Sequence, residues 1–157
     1  MDSAIIALIA ANTAFVGSHF AMSHPLRAPM VRALGDKGFT LAYTVVSFAA
    51  LGWVAHAFKA APGGDLGGSG EAGWIIASLL TLAAMILLAG SFIGNPALPT
   101  PMADAQARAA PKGVFIVTRH PMMWAIGLWA ASHIILFWSL RTLVTAAAMG
   151  VLALVGA

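Results

Sequence analysis

The residues able to do chemistry in this sequence are mostly histidines, five in all, together with an Arg119-His120-Pro121 triplet. His19 and His56 close the first two long apolar runs, and His120 opens the fourth. His133 lies inside that fourth run, thirteen residues after His120. An imidazole is both a hydrogen-bonding ring and the commonest protein ligand for metals. Inside so apolar a run it needs a partner, because an unpaired polar group in hydrocarbon is costly. The sequence has no cysteine, which excludes disulfides, iron–sulfur clusters and thiolate-ligated haem. No carboxylate falls inside the apolar runs, so a catalytic zinc or a di-iron carboxylate centre is short of ligands. Two neutral imidazoles from different helices suit axial ligation of a b-type haem, for which a bundle interior offers an apolar slot. Arg119, beside the positive dipole end of the helix that Pro121 starts, is placed to receive the propionates. The competing reading is that each histidine bonds a Ser, an Asn or a backbone carbonyl across a helix contact and only stabilises packing. His24, beside Pro25, reads as an ordinary interfacial residue.

The elements that position these rings are five apolar segments: Ala4–Met22, Phe39–Phe58, Ala72–Ile93, Met122–Trp138 and Leu143–Ala157. The first four are long enough to cross a hydrocarbon core of about 30 Å. The fifth is shorter, and the chain is expected to end inside that helix. Pro121 suits the first position of a helix, which puts His120 at its start. His133 then lies roughly 20 Å deeper. By depth alone His19 pairs with His120, and His56 with His133. Asn12, His19 and Ser23 share one face of the first helix. Gly17 with Ser18, Gly90 with Gly94, and Ala146 with Gly150 read as small-residue faces for close packing. Trp129, one turn before His133 on the same face, could wall a pocket, although lipid or core packing is the favoured reading, whereas Trp74, Trp124 and Trp138 sit where membrane interfaces favour tryptophan.

Composition agrees with this layout. The chain of 157 residues is 61% hydrophobic and 8% charged, against about 25% charged in soluble domains. All Asp, Glu, Lys and Arg residues fall outside the five segments. The links Pro25–Gly38 and Gly94–His120 carry most of the Lys and Arg, which places them in the cytoplasm and the N-terminus outside. The acidic Asp2 in place of a basic start reads as a retained first membrane helix rather than a secretory signal. No Lys/Arg cluster exists to bind nucleic acid, despite the formal charge of +3. The run Gly68–Gly73 matches a dinucleotide fingerprint only on paper, since no strand precedes it. The four prolines between Asn95 and Gly113 forbid one regular helix there.

The chain resembles the NnrU family of polytopic membrane proteins. The residues that carry the likeness are FVGSH (Phe15–His19), HPLRAPMVRALGDKGF (His24–Phe39), Tyr43 with Ser47, and TRHPMMWAIGLWAASH (Thr118–His133). That family is associated with nitrite and nitric oxide metabolism in denitrifying bacteria. It is similar in turn to 15-cis-zeta-carotene isomerase, an integral membrane haem b enzyme. The resemblance implies haem b, with His19 and His133 as the iron ligands; His56 and His120 stay as the alternative cofactor-binding histidines that depth favours, and Arg119 as the candidate for the propionates. The relative's alternative cysteine ligand has no counterpart here. The Arg-His-Pro start is also similar to that of isoprenylcysteine carboxyl methyltransferases and sterol reductases, whose acidic downstream motif is missing.

These readings give an all-α integral membrane bundle of about five transmembrane helices, forming one domain over residues 1–157, in the bacterial inner membrane. The function they imply is a haem-binding protein of nitrogen-oxide metabolism, or a redox-dependent isomerase of an apolar small molecule. A methyltransferase-like enzyme and a cofactor-free assembly factor with a membrane protein partner are the alternatives.

Overall fold

The structure, a computed structural model, describes residues 2–63, 69–97 and 103–156. Among these the chain is helical: α1 (Ser3–Ser23), α2 (Arg27–Ala60), α3 (Gly70–Gly90), α4 (Ala103–Arg108), α5 (Pro121–Leu136) and α6 (Leu140–Val155), with a 3-10 turn at Gly113–Ile116 before α5. Asp2 caps α1 by accepting a hydrogen bond from the Ala4 amide at 2.9 Å, which satisfies one of the free donors of the first turn. Pro121 occupies the first turn of α5 with His120 as the cap residue, as the fixed φ of proline favours.

Three helices, α1, α2 and α3, are long and apolar enough to cross a membrane. The greater part of each faces away from the protein, and large side chains such as Leu41, Phe48, Leu79 and Met85 are exposed on them. In a lipid solvent that exposure carries no penalty, since hydrocarbon is as apolar as leucine. The two remaining apolar helices, α5 and α6, have 16 residues each, roughly 24 Å at helical rise.

The link expected at Pro25–Gly38 is instead largely helical. Arg27 begins α2, which runs for 34 residues and kinks at Gly35 (φ 69°, ψ 172°). Only glycine adopts that backbone readily, so it marks where the charged segment turns into the apolar one. Arg27, Arg32, Asp36 and Lys37 therefore sit on the opening turns of a helix. Arg27 lies over the Phe39 ring at 5.3 Å. The segment after Asn95 is broken as its prolines require, although Pro99 and Pro101 lie outside the described residues, as does Gly68 of the glycine-rich run.

Contacts divide the chain into two compact units, Met1–Leu66 with Ser139–Ala148, and Gly67–Trp138 with Met149–Ala157. In the first, α1 packs along α2. Its core holds Ile5, Leu8, Ala11, Phe15, Phe39 and Val54. Two polar ties join the start of α6 to it. Asn12 is buried, and its Nδ2 donates to the Leu8 carbonyl at 2.9 Å and lies 3.5 Å from the Thr145 hydroxyl. Arg141 donates to the Ala61 carbonyl at 3.3 Å and lies over the Phe58 ring at 4.8 Å.

In the second unit, α3 packs along α5. Trp74 meets Phe137 edge-on at 6.2 Å. Of the small-residue faces expected from sequence, Gly90 is the one that makes a close approach: a Cβ there would lie 2.5 and 2.9 Å from the two Val114 methyl groups. Among the described residues, Gly17 and Gly150 have nothing within 4 Å of an added Cβ, so no close contact with a described residue is built on them. Gly94 has a positive φ of 69° and shapes the chain after α3 rather than packing a helix.

Val114 is β-branched and has little rotamer freedom with which to yield. Gly90→Ala is therefore expected to destabilise the protein by about 1–3 kcal/mol through overpacking. Gly127→Ala, whose added methyl would meet Ala153 at an ordinary 3.8 Å, should be neutral or stabilising. Thermal unfolding in detergent measures both, and equal effects would refute the contact.

Candidate functional site: two matching histidine turns

The polar chemistry of both units centres on one short pattern used twice. Residues Phe15-Val16-Gly17-Ser18-His19 on α1 and Trp129-Ala130-Ala131-Ser132-His133 on α5 each read aromatic, two small or β-branched residues, serine, histidine. In a helix a side chain leans back toward the turn before it, so serine and histidine both reach the backbone of the aromatic residue. On α1 the Ser18 hydroxyl donates to the Phe15 carbonyl at 3.0 Å, and His19 Nδ1 lies 2.9 Å from the same oxygen. On α5 the Ser132 hydroxyl donates to the Trp129 carbonyl at 2.8 Å, and His133 Nδ1 lies 2.9 Å from it. The rings are in tilted contact as well. Phe15 and His19 have centroids 4.4 Å apart, and Trp129 and His133 are 4.1 Å apart.

The chemical consequence follows from the carbonyl. A carbonyl oxygen only accepts, so Nδ1 carries the proton and donates. The neutral ring then has its lone pair on Nε2. This is the outer-shell arrangement that orients metal-ligating histidines elsewhere, with one ring nitrogen tied to a backbone carbonyl and the other free to ligate. The hydrogen bond and the aromatic contact are each of order 1 kcal/mol, comparable with the entropy of fixing a side chain. Together they hold the ring in one orientation.

Each ring has a second aromatic neighbour. Tyr43 of α2 approaches His19 edge-on at 5.4 Å, with Phe39 a further 5.9 Å along. Phe137 lies 6.0 Å from His133. The two turns differ at Nε2. His19 Nε2 lies 3.4 Å from the Ser47 hydroxyl of α2, whereas His133 Nε2 has no such partner among the described residues. Both rings are half-buried, and Ser132 is fully buried.

The other residues singled out from sequence are placed differently. His56 is exposed on α2, and Arg119 and His120 are exposed at the start of α5, where the His120 amide donates to Thr118 Oγ1 at 3.2 Å. Neither the His56 nor the His120 ring has a hydrogen-bond partner among the described residues. His19 and His56 belong to the first unit, and His120 and His133 to the second. Among the described residues no group of three or more His, Cys, Asp or Glu side chains is gathered that could hold a metal ion by itself. Sequence reasoning did not single out Ser132 and took Ser18 only for its small size. The signal for both was the repeated spacing, FVGSH against WAASH. Trp129 was expected to share a face with His133, and it does. Ser47, by contrast, was named as part of a family motif but not as a partner of His19.

The chain belongs to the NnrU family: the family described as NnrU protein matches residues 7–157, nearly the whole chain. No curated protein and no solved structure matches it.

The geometry fixes a tautomer. In nitrogen-edited NMR of histidine-labelled protein in micelles, the neutral rings of His19 and His133 should both carry their proton on Nδ1. A proton on Nε2 of either ring would contradict the arrangement described.

Proposed function

We propose that this NnrU-family chain is a haem b-binding membrane protein in which His19 and His133 would ligate the iron. The observation that carries the reading is the pair of matching turns, each of which ties Nδ1 to its own helix and leaves the Nε2 lone pair for a ligand. Two imidazoles are too few for a metal ion that relies on the protein for its whole coordination sphere. They would suit haem, which brings most of the iron's ligands itself. Phe15 and Tyr43 beside His19, and Trp129 and Phe137 beside His133, would offer a porphyrin apolar surface.

Haem would supply a redox-active iron. What the chain's own residues do is fix the imidazole tautomer, orient the rings and keep the surroundings apolar, which sets how readily the iron changes oxidation state. Such a group would serve nitrite and nitric oxide metabolism, or redox-dependent isomerisation of an apolar substrate dissolved in the bilayer. In this reading α5 and α6 complete a bundle of about five membrane segments in a bacterial inner membrane, with the N-terminus outside. His56, His120 and Arg119 then sit at the water boundary, where Arg119 is available to the propionates.

A cofactor-free reading, in which the histidines only join helices, draws its support from the His19–Ser47 contact. It leaves the matching turn on α5 without a purpose, because the His133 ring reaches no neighbouring helix through Nε2 among the described residues.

Protein purified from haem-replete cells should show a Soret band, most of which is lost in His19→Ala and again in His133→Ala but kept in His56→Ala and His120→Ala. Folded, colourless wild-type protein would sink the proposal and leave the packing reading.

A further inference from the structure

We infer that Ser47 is a positioning residue for His19, a removable cap that holds the Nε2 lone pair when the imidazole is empty and gives it up to an incoming metal centre. The inference rests on the haem reading and adds to it a residue that controls loading at one ligand only.

The hydroxyls of α2 carry the argument. Thr40 donates to the Asp36 carbonyl at 2.9 Å, and Thr44 donates to the Thr40 carbonyl at 2.8 Å. Both follow the ordinary habit of a helical hydroxyl, which bonds back to the carbonyl four residues earlier. Ser47 departs from that habit. Its hydroxyl lies 3.4 Å from His19 Nε2 on α1. Because His19 Nδ1 donates to the Phe15 carbonyl at 2.9 Å, Nε2 is the acceptor and Ser47 the donor.

At 3.4 Å the contact is at the long end of the hydrogen-bond range. It is enough to keep a half-buried imidazole from standing unpaired, and weak enough to be displaced. When Nε2 is taken, the Ser47 hydroxyl has the Tyr43 carbonyl one turn back on its own helix, the same acceptor position that Thr40 and Thr44 use. The exchange leaves no orphaned polar group, which matters in a bilayer. His133 has no corresponding cap among the described residues, so the two turns are matched in their Nδ1 anchoring and unequal at Nε2. His19 is the ligand whose engagement competes with an internal bond.

The test uses the full-length protein in micelles with Ser47→Ala and Ser47→Thr. In the haem-free protein, the Nε2 resonance of His19 should move toward that of an unbonded imidazole nitrogen in Ser47→Ala and stay in place in Ser47→Thr, with His133 unmoved in both. In the haem-loaded protein, Ser47→Ala should retain haem about two- to fivefold more tightly against capture by apomyoglobin, because a hydrogen bond of modest net strength no longer competes. Ser47→Thr should match the wild type. An Nε2 resonance indifferent to the loss of the hydroxyl would overturn the inference, as would haem retention unchanged or weakened in Ser47→Ala. If no variant takes up haem, the inference falls with the haem reading, and a shifted Nε2 resonance would show that the contact itself was correctly placed.

Discussion

The hydrogen bond from histidine Nδ1 to the carbonyl one turn earlier is the constraint on which the functional account depends. It costs the helix nothing in backbone geometry, because the side chain leans toward that carbonyl anyway. It uses no second helix, so it survives whatever the neighbours do. It also fixes which nitrogen is protonated, turning a ring with two interchangeable faces into a directed donor of one lone pair. The aromatic side chain in contact with the imidazole belongs to the same residue as the carbonyl, so one residue supplies both the anchor and the wall. Phe15 does this for His19 and Trp129 for His133.

A bilayer makes such self-contained anchoring useful. Water is absent there, and every polar group must find its partner within the protein. Among the described residues many side chains find that partner locally: Ser18 in Phe15, Ser132 in Trp129, Thr40 in Asp36 and Thr44 in Thr40. The few bonds that leave their own element stand out for that reason. Asn12 with Thr145 and Arg141 with Ala61 tie α6 into the first unit, while Ser47 with His19 joins α1 to α2 at the site itself. In this light, polar side chains that cross between helices are where structure and function meet in this molecule.

Much of the fold was legible in the sequence because hydrocarbon imposes a simple rule on length and charge. The apolar runs became helices, and Pro121 began α5 as its fixed φ requires. What the sequence concealed was local or relational. The charged stretch after Pro25 looked like a link because charge was read as loop, yet Ala, Leu and Arg there are good helix formers and only Gly35 breaks the run. Gly17 looked like a packing glycine, but lipid-facing and protein-facing positions are equally apolar in a membrane helix, so small size alone does not say which way a residue points. At the site, His19 and His133 were chosen through family likeness, while depth alone paired them with other rings. The repeated aromatic–serine–histidine spacing was present in the letters throughout. It acquires meaning only once the helical turn brings two side-chain donors to one carbonyl.

Electron paramagnetic resonance of the oxidised protein from haem-replete cells addresses the central claim most directly, since it reports the axial donors of the iron rather than its mere presence. Ligation by both histidines predicts a low-spin signal of bis-imidazole type that is lost when either His19 or His133 is replaced by alanine. A high-spin or single-imidazole signal in the wild-type protein, or one indifferent to both replacements, would contradict it.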